Sequence, residues 1–277
     1  MSMLTVRLGA LEYLVSDRMP EGFRHGFSTR FGGVSGGMWS SLNLGTHRGD
    51  DPASVWENYR IFGQAVGFSP EQTVFTRQLH GSIVRSVTKK DCGTGLLREQ
   101  TEECDGIVTD EPGVALVAFG ADCPTILLAD PVRRVACAVH AGWRGTALGI
   151  AREAVRRMGD YGSKPENITA AIGPCIGPCC FETHADVPDA MLAAFGEDVR
   201  SCILPAPTEG KFLVDLRGIN TWLLRESGVP FTDVTPDCTA CQPERFWSHR
   251  RVGGSRGSQA SVIMIESATE SKIYDGF

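Results

Sequence analysis

The feature that most constrains this chain is a pair of apolar runs that both stop at reactive side chains. Residues 114–119 (VALVAF) and 135–139 (VACAV) are rich in Val and Ala and have the length of buried strands. The first gives way to ADCP, residues 121–124, so Asp122 and Cys123 stand where the strand ends. The second gives way to His140, followed by AGWRG. Two strands that discharge into polar, glycine-bearing turns predict one shared sheet edge. A thiol and an imidazole meeting there form either a metal half-site or a nucleophile with its base.

The rest of the composition sets the context. Of 277 residues, 42% are hydrophobic and 22% charged, which is enough for a sizeable core, and no composition break marks a linker. A single domain over residues 1–277 is therefore expected. The formal net charge of −6 leaves no electrostatic footprint for nucleic acid or an anionic membrane. No apolar run is long enough to span a bilayer. The opening MSMLTVRLGALEYLV lacks the basic segment and apolar core of a signal peptide, so a cytoplasmic location is expected. With no export signal, the ten cysteines read as free thiols rather than a disulfide framework, and Cys137, in mid-strand, reads as core. Cys238 and Cys241 form a CxxC without a second CxxC at zinc-finger spacing. Cys175, Cys179 and Cys180 share a Pro/Gly loop. Closed zinc sites use four ligands at recognisable spacing, so this pattern gives little support to a structural zinc.

In chain order, residues 1–22 predict an opening strand or two. Residues 25–51 form a glycine-dense loop of the kind that walls a site, without the GxxxxGK[ST] order of a phosphate-binding loop. A helix is expected over 52–67, capped by Asp50 or Asp51, with Val55, Tyr59, Phe62 and Val66 as its core stripe. Residues 73–88 predict a strand pair bent at His80-Gly81. A lone histidine at such a bend is as readily a hydrogen-bonded structural residue as a ligand. A helix is expected over 146–158, and the N–H groups after Gly142, with Arg144, suit an anion. For Arg144 a surface salt bridge is the plain alternative. Further strands are expected at 167–173, 211–216 and near Asp233-Val234, and an edge-type strand at 260–265. Helices are expected at 184–195 and through Asn220.

His80, Cys123 and His140 thus each stand beside a turn at a strand end. Two imidazoles and a thiolate are the three protein ligands of an open zinc site. Their spacing fits no short zinc motif, so a zinc centre and a Cys–His hydrolase dyad stand equal on residue chemistry alone. Asp122 either orients a ligand or caps a helix.

FSTRFGGVSGGMWSSLNLG, RQLHG, ADCPTILLAD, HAGWRGT, IGPCIG, Cys238-Thr239 and SHRR occur in that order over nearly the whole chain. This set resembles the YfiH-type family, also labelled the polyphenol oxidase or laccase-domain family. The resemblance implies an α+β fold with mixed β-sheets sandwiched between helical layers (α/β/β/α). It implies metal ligation by the histidine of RQLHG, the cysteine of ADC and the histidine of HAGWRG, which are His80, Cys123 and His140. The implied activity is zinc-dependent phosphorolysis of adenosine, inosine, guanosine and methylthioadenosine, with adenosine deamination. On that basis Arg30 and Arg144 are expected to clamp phosphate. Asn43 is expected to bind the sugar or base, although an Asx-turn role suits it nearly as well. The chain departs from the family at Leu79, where Val is common, at SHRR in place of SYRR, and at CCFE near the usual Tyr-Glu pair. The last two bear on substrate preference.

Three rivals remain. One is a metal-free cysteine hydrolase using Cys123 and His140. Another is copper-dependent phenol oxidation, which six histidines with no HxH pair argue against. The third is a peptidoglycan-precursor editing factor.

Overall fold

The computed structural model describes residues 3–267; the expected domain's outermost residues, 1–2 and 268–277, lie outside them. Side-chain alternation assembles the layers. The first sheet runs, in spatial order, β1 (Leu4–Leu8), β2 (Leu11–Val15), β3 (Phe23–Ser28), β15 (Gln259–Ile265), β7 (Ala115–Gly120) and β4 (Thr73–Phe75). The second runs β14 (Phe231–Val234), β10 (Thr169–Ile172), β8 (Thr125–Asp130), β9 (Val135–His140), β6 (Gly106–Thr109) and β5 (Val84–Ser86). Both mix parallel and antiparallel pairs. A small third sheet joins β11 (Glu182–Thr183), β13 (Phe212–Val214) and β12 (Ile203–Pro205).

On β7, Leu116 and Ala118 point toward the second sheet, where Leu127, Ala129, Ala136 and Ala138 meet them. The small residues let the two sheets approach. The alternate residues on β7 and β15, among them Val117, Val262 and Met264, pack against Val55, Tyr59 and Phe62 of α1 (Pro52–Val66). On the far side, Ile126, Leu128, Cys137 and Val139 pack against α3 (Ile150–Gly159), α4 (Asp186–Phe195) and α5 (Leu216–Glu226). The order is helix, sheet, sheet, helices, as the sequence resemblance implies. Asp51 caps α1 by accepting the N–H groups of Ala53 and Ser54.

Four local expectations need correction, and one strand adds to them. The runs 114–119 and 135–139 do not share a sheet edge: β7 and β9 lie in facing sheets. Both are apolar on both faces, so sequence could not distinguish a neighbour beside from a neighbour above. Residues 73–88 are not a hairpin, because β4 joins the first sheet and β5 the second. The strand at 260–265 is not an edge. β15 lies between β3 and β7 with all seven residues buried. The helix over 146–158 is two pieces, α2 (Trp143–Ala147) and α3, broken where Gly149 adopts φ 76°. Finally, β8, at the middle of the second sheet, was not anticipated, since its TILLAD follows the proline of ADCP directly.

His25 on β3 accepts the Ser16 N–H through Nε2 at 2.8 Å. Burial pushes its pKa down from 6.5 to about 4, against backbone hydrogen bonds that pull it up. Between those values the unfolded chain binds a proton that the folded chain refuses, so stability falls as pH falls. Urea unfolding from pH 6.5 to 4 is expected to show about 2–3 kcal/mol of loss from this group. His25→Gln should lack that component.

Candidate active site

The chain crosses between the two large sheets three times at the same end, and two of those crossings carry ligand-type side chains into the candidate site. One crossing, residues 76–83, carries His80 from β4 toward β5. Another, residues 121–124, carries Cys123 from β7 toward β8. Register supplies the third member. Thr125 of β8 stands opposite His140, the last residue of β9, so Cys123 lies in the turn beside that imidazole. The ligand atoms of His80, Cys123 and His140 all lie within 4.8 Å of one another. The two imidazoles meet edge to face, with centroids 4.8 Å apart.

Asp105, which the sequence reading passed over, fixes this arrangement. It precedes β6, and because Gly106 pairs with Val139, Asp105 falls opposite His140. Its carboxylate accepts the N–H groups of Leu79 (3.1 Å), His80 (2.9 Å) and Gly81 (2.7 Å). His140 Nδ1–H donates to the same carboxylate at 2.8 Å, and the His140 backbone N–H donates to the Asp105 carbonyl at 2.7 Å. His80 is thereby held at φ 61°, a region that residues other than glycine seldom occupy. With Nδ1 committed, Nε2 of His140 is left to face Cys123.

The electrostatics follow from these contacts. Burial opposes a charged His140, but the Cys123 sulfur and the Asp105 carboxylate outweigh it and push its pKa up to about 9. Burial likewise opposes charge on Asp105. His140 and the turn N–H groups prevail and hold its carboxyl below the usual range. Burial and the neighbouring His140 draw His80 down from 6.5, which leaves a neutral ring with a lone pair.

Two further residues seat the turns. Gln78 completes the end of β7 like a short strand: its Oε1 accepts the Phe119 N–H at 2.7 Å and its Nε2 donates to the Phe119 carbonyl at 3.0 Å. Gly142 lies so close to His80 that a Cβ there would stand 2.4 Å from Nδ1. Asp122, at φ 90°, accepts Thr239 Oγ1–H and the Arg250 N–H, both at 2.6 Å. The Arg250 N–H belongs to the first turn of α6 (His249–Val252), a helix whose N-cap is Ser248, so Asp122 adds an acceptor to that turn from across the fold.

A cleft of about 470 Å³ opens over the trio, walled in part by Arg48, Arg144, Arg250 and Arg256. Arg144 stacks on Trp143 at 4.3 Å, and no ion pair holds it among the described residues. Arg256 is buried. Desolvation, then the nearby Arg48, draw its pKa down to about 10, still cationic at neutral pH. Its Nε–H has no hydrogen-bond partner among the described residues. Arg48 and Arg256 carried no motif that singled them out, and only the fold brings them together.

Two expected binding residues lie elsewhere. Arg30 does not line this cleft. Its guanidinium donates to the carbonyls of Ser40 and Pro243 and stacks on Trp247 at 3.9 Å, so it ties the glycine-rich loop to the C-terminal arm. Asn43 is fully buried, its Oδ1 accepting from Gly45 and Ser258 N–H and its Nδ2 donating to Asp50. The Asx-turn role is the one it fills.

The donor set fits a divalent metal. Two neutral-capable imidazoles and a thiol converge, one imidazole is oriented by a carboxylate, and the cleft leaves the remaining side open.

The comparisons with known proteins agree with this architecture. A profile of the multi-copper polyphenol oxidoreductase laccase family matches residues 24–266. The purine nucleoside phosphorylase YlmD of Geobacillus stearothermophilus is 36% identical over 247 residues, 86% of this chain and 88% of that protein. The purine nucleoside phosphorylase LACC1 of Mus musculus is 36% identical over 93% of this chain, which spans 59% of that longer relative. Among solved structures, Bacillus licheniformis YfiH superposes with a TM-score of 0.88 at 33% identity, covering 94% of this chain and 98% of that one. YlmD from Geobacillus stearothermophilus superposes with a TM-score of 0.84 at 34% identity, over 96% and 100% of the two chains. The profile match, the relatives and the superposed structures therefore identify this chain as a member of the YfiH-type, polyphenol oxidoreductase laccase family.

Proposed function

We propose that the chain is a zinc-dependent purine nucleoside phosphorylase acting on adenosine, inosine, guanosine and methylthioadenosine, and that it also deaminates adenosine. One observation carries the reading: the donor atoms of His80, Cys123 and His140 converge under a cleft walled by four arginines. The relatives named as purine nucleoside phosphorylases support it. Zn²⁺ held by the trio would supply a Lewis-acidic charge for an anionic or polarised oxygen. Zinc suits the donors better than copper. A blue-copper centre built on two His and one Cys adds a weak axial ligand, usually Met, and no methionine lines this cleft.

In phosphorolysis a phosphate oxygen bonds to the anomeric carbon while the bond to the purine nitrogen breaks. The purine leaves with the electron pair and takes up a proton. The chain's task is to hold the anion in line and shield the sugar from water. Arg256 is a buried, poorly hydrated guanidinium, which makes its spare Nε–H a strong anion donor, and Arg48 stands beside it on the exposed side of the wall. Arg144 adds an exposed fork at the cleft mouth. Phe119, Trp143 and Phe181 offer apolar faces to a base. His249 lies on the same wall, within the reach of a purine held there.

A second reading rests on one contact. His140 bonds to both the Cys123 thiol and the Asp105 carboxylate, which is the order of nucleophile, base and orienting acid. That would make a metal-free cysteine hydrolase.

Metal-loaded protein with adenosine separates the two. Adenine and ribose 1-phosphate are expected only with phosphate, inosine with or without it, and neither product after chelation. Cys123→Ala should lose turnover together with the metal bound at His80 and His140. Turnover that survives chelation and needs no phosphate would favour the hydrolase. Arg256→Ala is expected to raise the KM for phosphate about 10–100-fold, the loss of a charged hydrogen bond, with the nucleoside KM changed far less. For the positioning residue, Asp105→Asn should weaken zinc affinity about 10–100-fold, measured by competition with a chromophoric chelator. Asp105→Ala should cost about 3–5 kcal/mol of unfolding free energy in urea, because a buried partner and three turn N–H groups lose their acceptor.

A further inference from the structure

A second set of ligand-type side chains lies outside the trio. Cys179 and Cys180 follow β10, and Cys238 and Cys241 follow β14. The two strands are parallel neighbours, with Thr169 opposite Phe231 and Ile172 opposite Val234, so both loops leave the sheet at the same end. An isolated bridge joins Cys175 to Cys238, and the Thr239 N–H donates to the Cys175 carbonyl at 3.1 Å. The four remaining sulfurs converge. Cys180 Sγ lies 3.3 Å and Cys179 Sγ 3.6 Å from Cys241 Sγ, and all four lie within 4.8 Å of one another. All are free thiols, so no disulfide accounts for the grouping.

We infer that Cys179, Cys180, Cys238 and Cys241 form a closed tetrathiolate site for a structural divalent metal, zinc being the best match. Metal–sulfur bonds of about 2.3 Å place tetrahedral sulfurs about 3.8 Å apart, inside the observed range. The surroundings suit the dianion that four thiolates make with a divalent cation. The Gly177 N–H donates to Cys238 Sγ at 3.2 Å. Three guanidiniums reach the carbonyls of the two loops: Arg250 that of Cys180, Arg251 that of Ala240, and Arg217 that of Asp237. Gly177 must also be bare, since a Cβ there would lie 2.8 Å from Arg217 and 3.2 Å from Cys179 Sγ. Binding exchanges four thiol protons for one cation and needs no oxidant. The ligands pair a vicinal Cys-Cys with a CxxC that begins 58 positions on, which is why spacing alone gave the site little support.

The loops so clamped carry Ile176 and Phe181 on one side and lead to His249 and Arg250 on the other, all on the cleft wall. The tetrathiolate would fix that wall without touching substrate.

Metal content and X-ray absorption of the zinc-loaded chain test this. Wild type is expected to hold two equivalents. Cys123→Ala should retain one, in an all-sulfur shell at about 2.3 Å. Cys238→Ser/Cys241→Ser should also retain one, in a mixed nitrogen and sulfur shell, and cobalt substitution should lose the intense visible absorption of a tetrathiolate. Should the double variant fail to fold, Cys123→Ala alone decides. No metal in it, a nitrogen- or oxygen-containing shell, or a Cys180–Cys241 disulfide in the unreduced mass spectrum overturns the assignment.

Discussion

One carboxylate organises the reactive end of this protein. Asp105 is the last residue before a strand, and antiparallel pairing sets it opposite His140 whatever its side chain does. From that position it accepts three successive N–H groups of the turn bearing His80, and the Nδ1–H of His140 as well. A turn held at φ 61° by a non-glycine residue needs such over-determination. The same four donors explain why Asp105 stays ionised in a buried place. Remove the acceptor and both the tautomer of one imidazole and the position of the other lose their cause.

The sandwich makes this economical. Its sheets approach closely because Ala118, Ala129, Ala136, Ala138 and Ala171 line the interface. A hydrogen bond of 2.6 Å between Thr125 and Ser261 ties them at the end where the chain crosses. Each ligand-bearing crossing then has only to deliver one side chain over a short distance. Gln78 and Gly142 finish the fit, one by imitating a strand partner and the other by leaving room for a ring.

The layer order was legible only through the family resemblance; the residues by themselves gave the helical stripe of α1 and the apolar runs of single strands, which are local signals. The trio was legible too, although residue chemistry left a metal and a dyad equal until the resemblance was used. What escaped depended on contacts distant in sequence. Asp105 sits in an ordinary Asp-Gly pair, and Arg48 and Arg256 are more than 200 positions apart. Arg30 and Asn43 sat in the right loop with suitable chemistry, yet their polar atoms are consumed by carbonyls and N–H groups of neighbouring segments. Loop composition shows that a wall is present and not which side chains face inward. β8 was missed for the opposite reason: its apolar run merges with the motif before it.

Asp122 joins two parts of the site mechanically. Its carboxylate receives Thr239 and the backbone of Arg250, while its peptide bond leads directly into Cys123. The C-terminal arm and the sulfur therefore hang from one rigid hinge pin. Any group that seats against Arg250 or His249 thus rests on a segment tied to the residue next to the thiol.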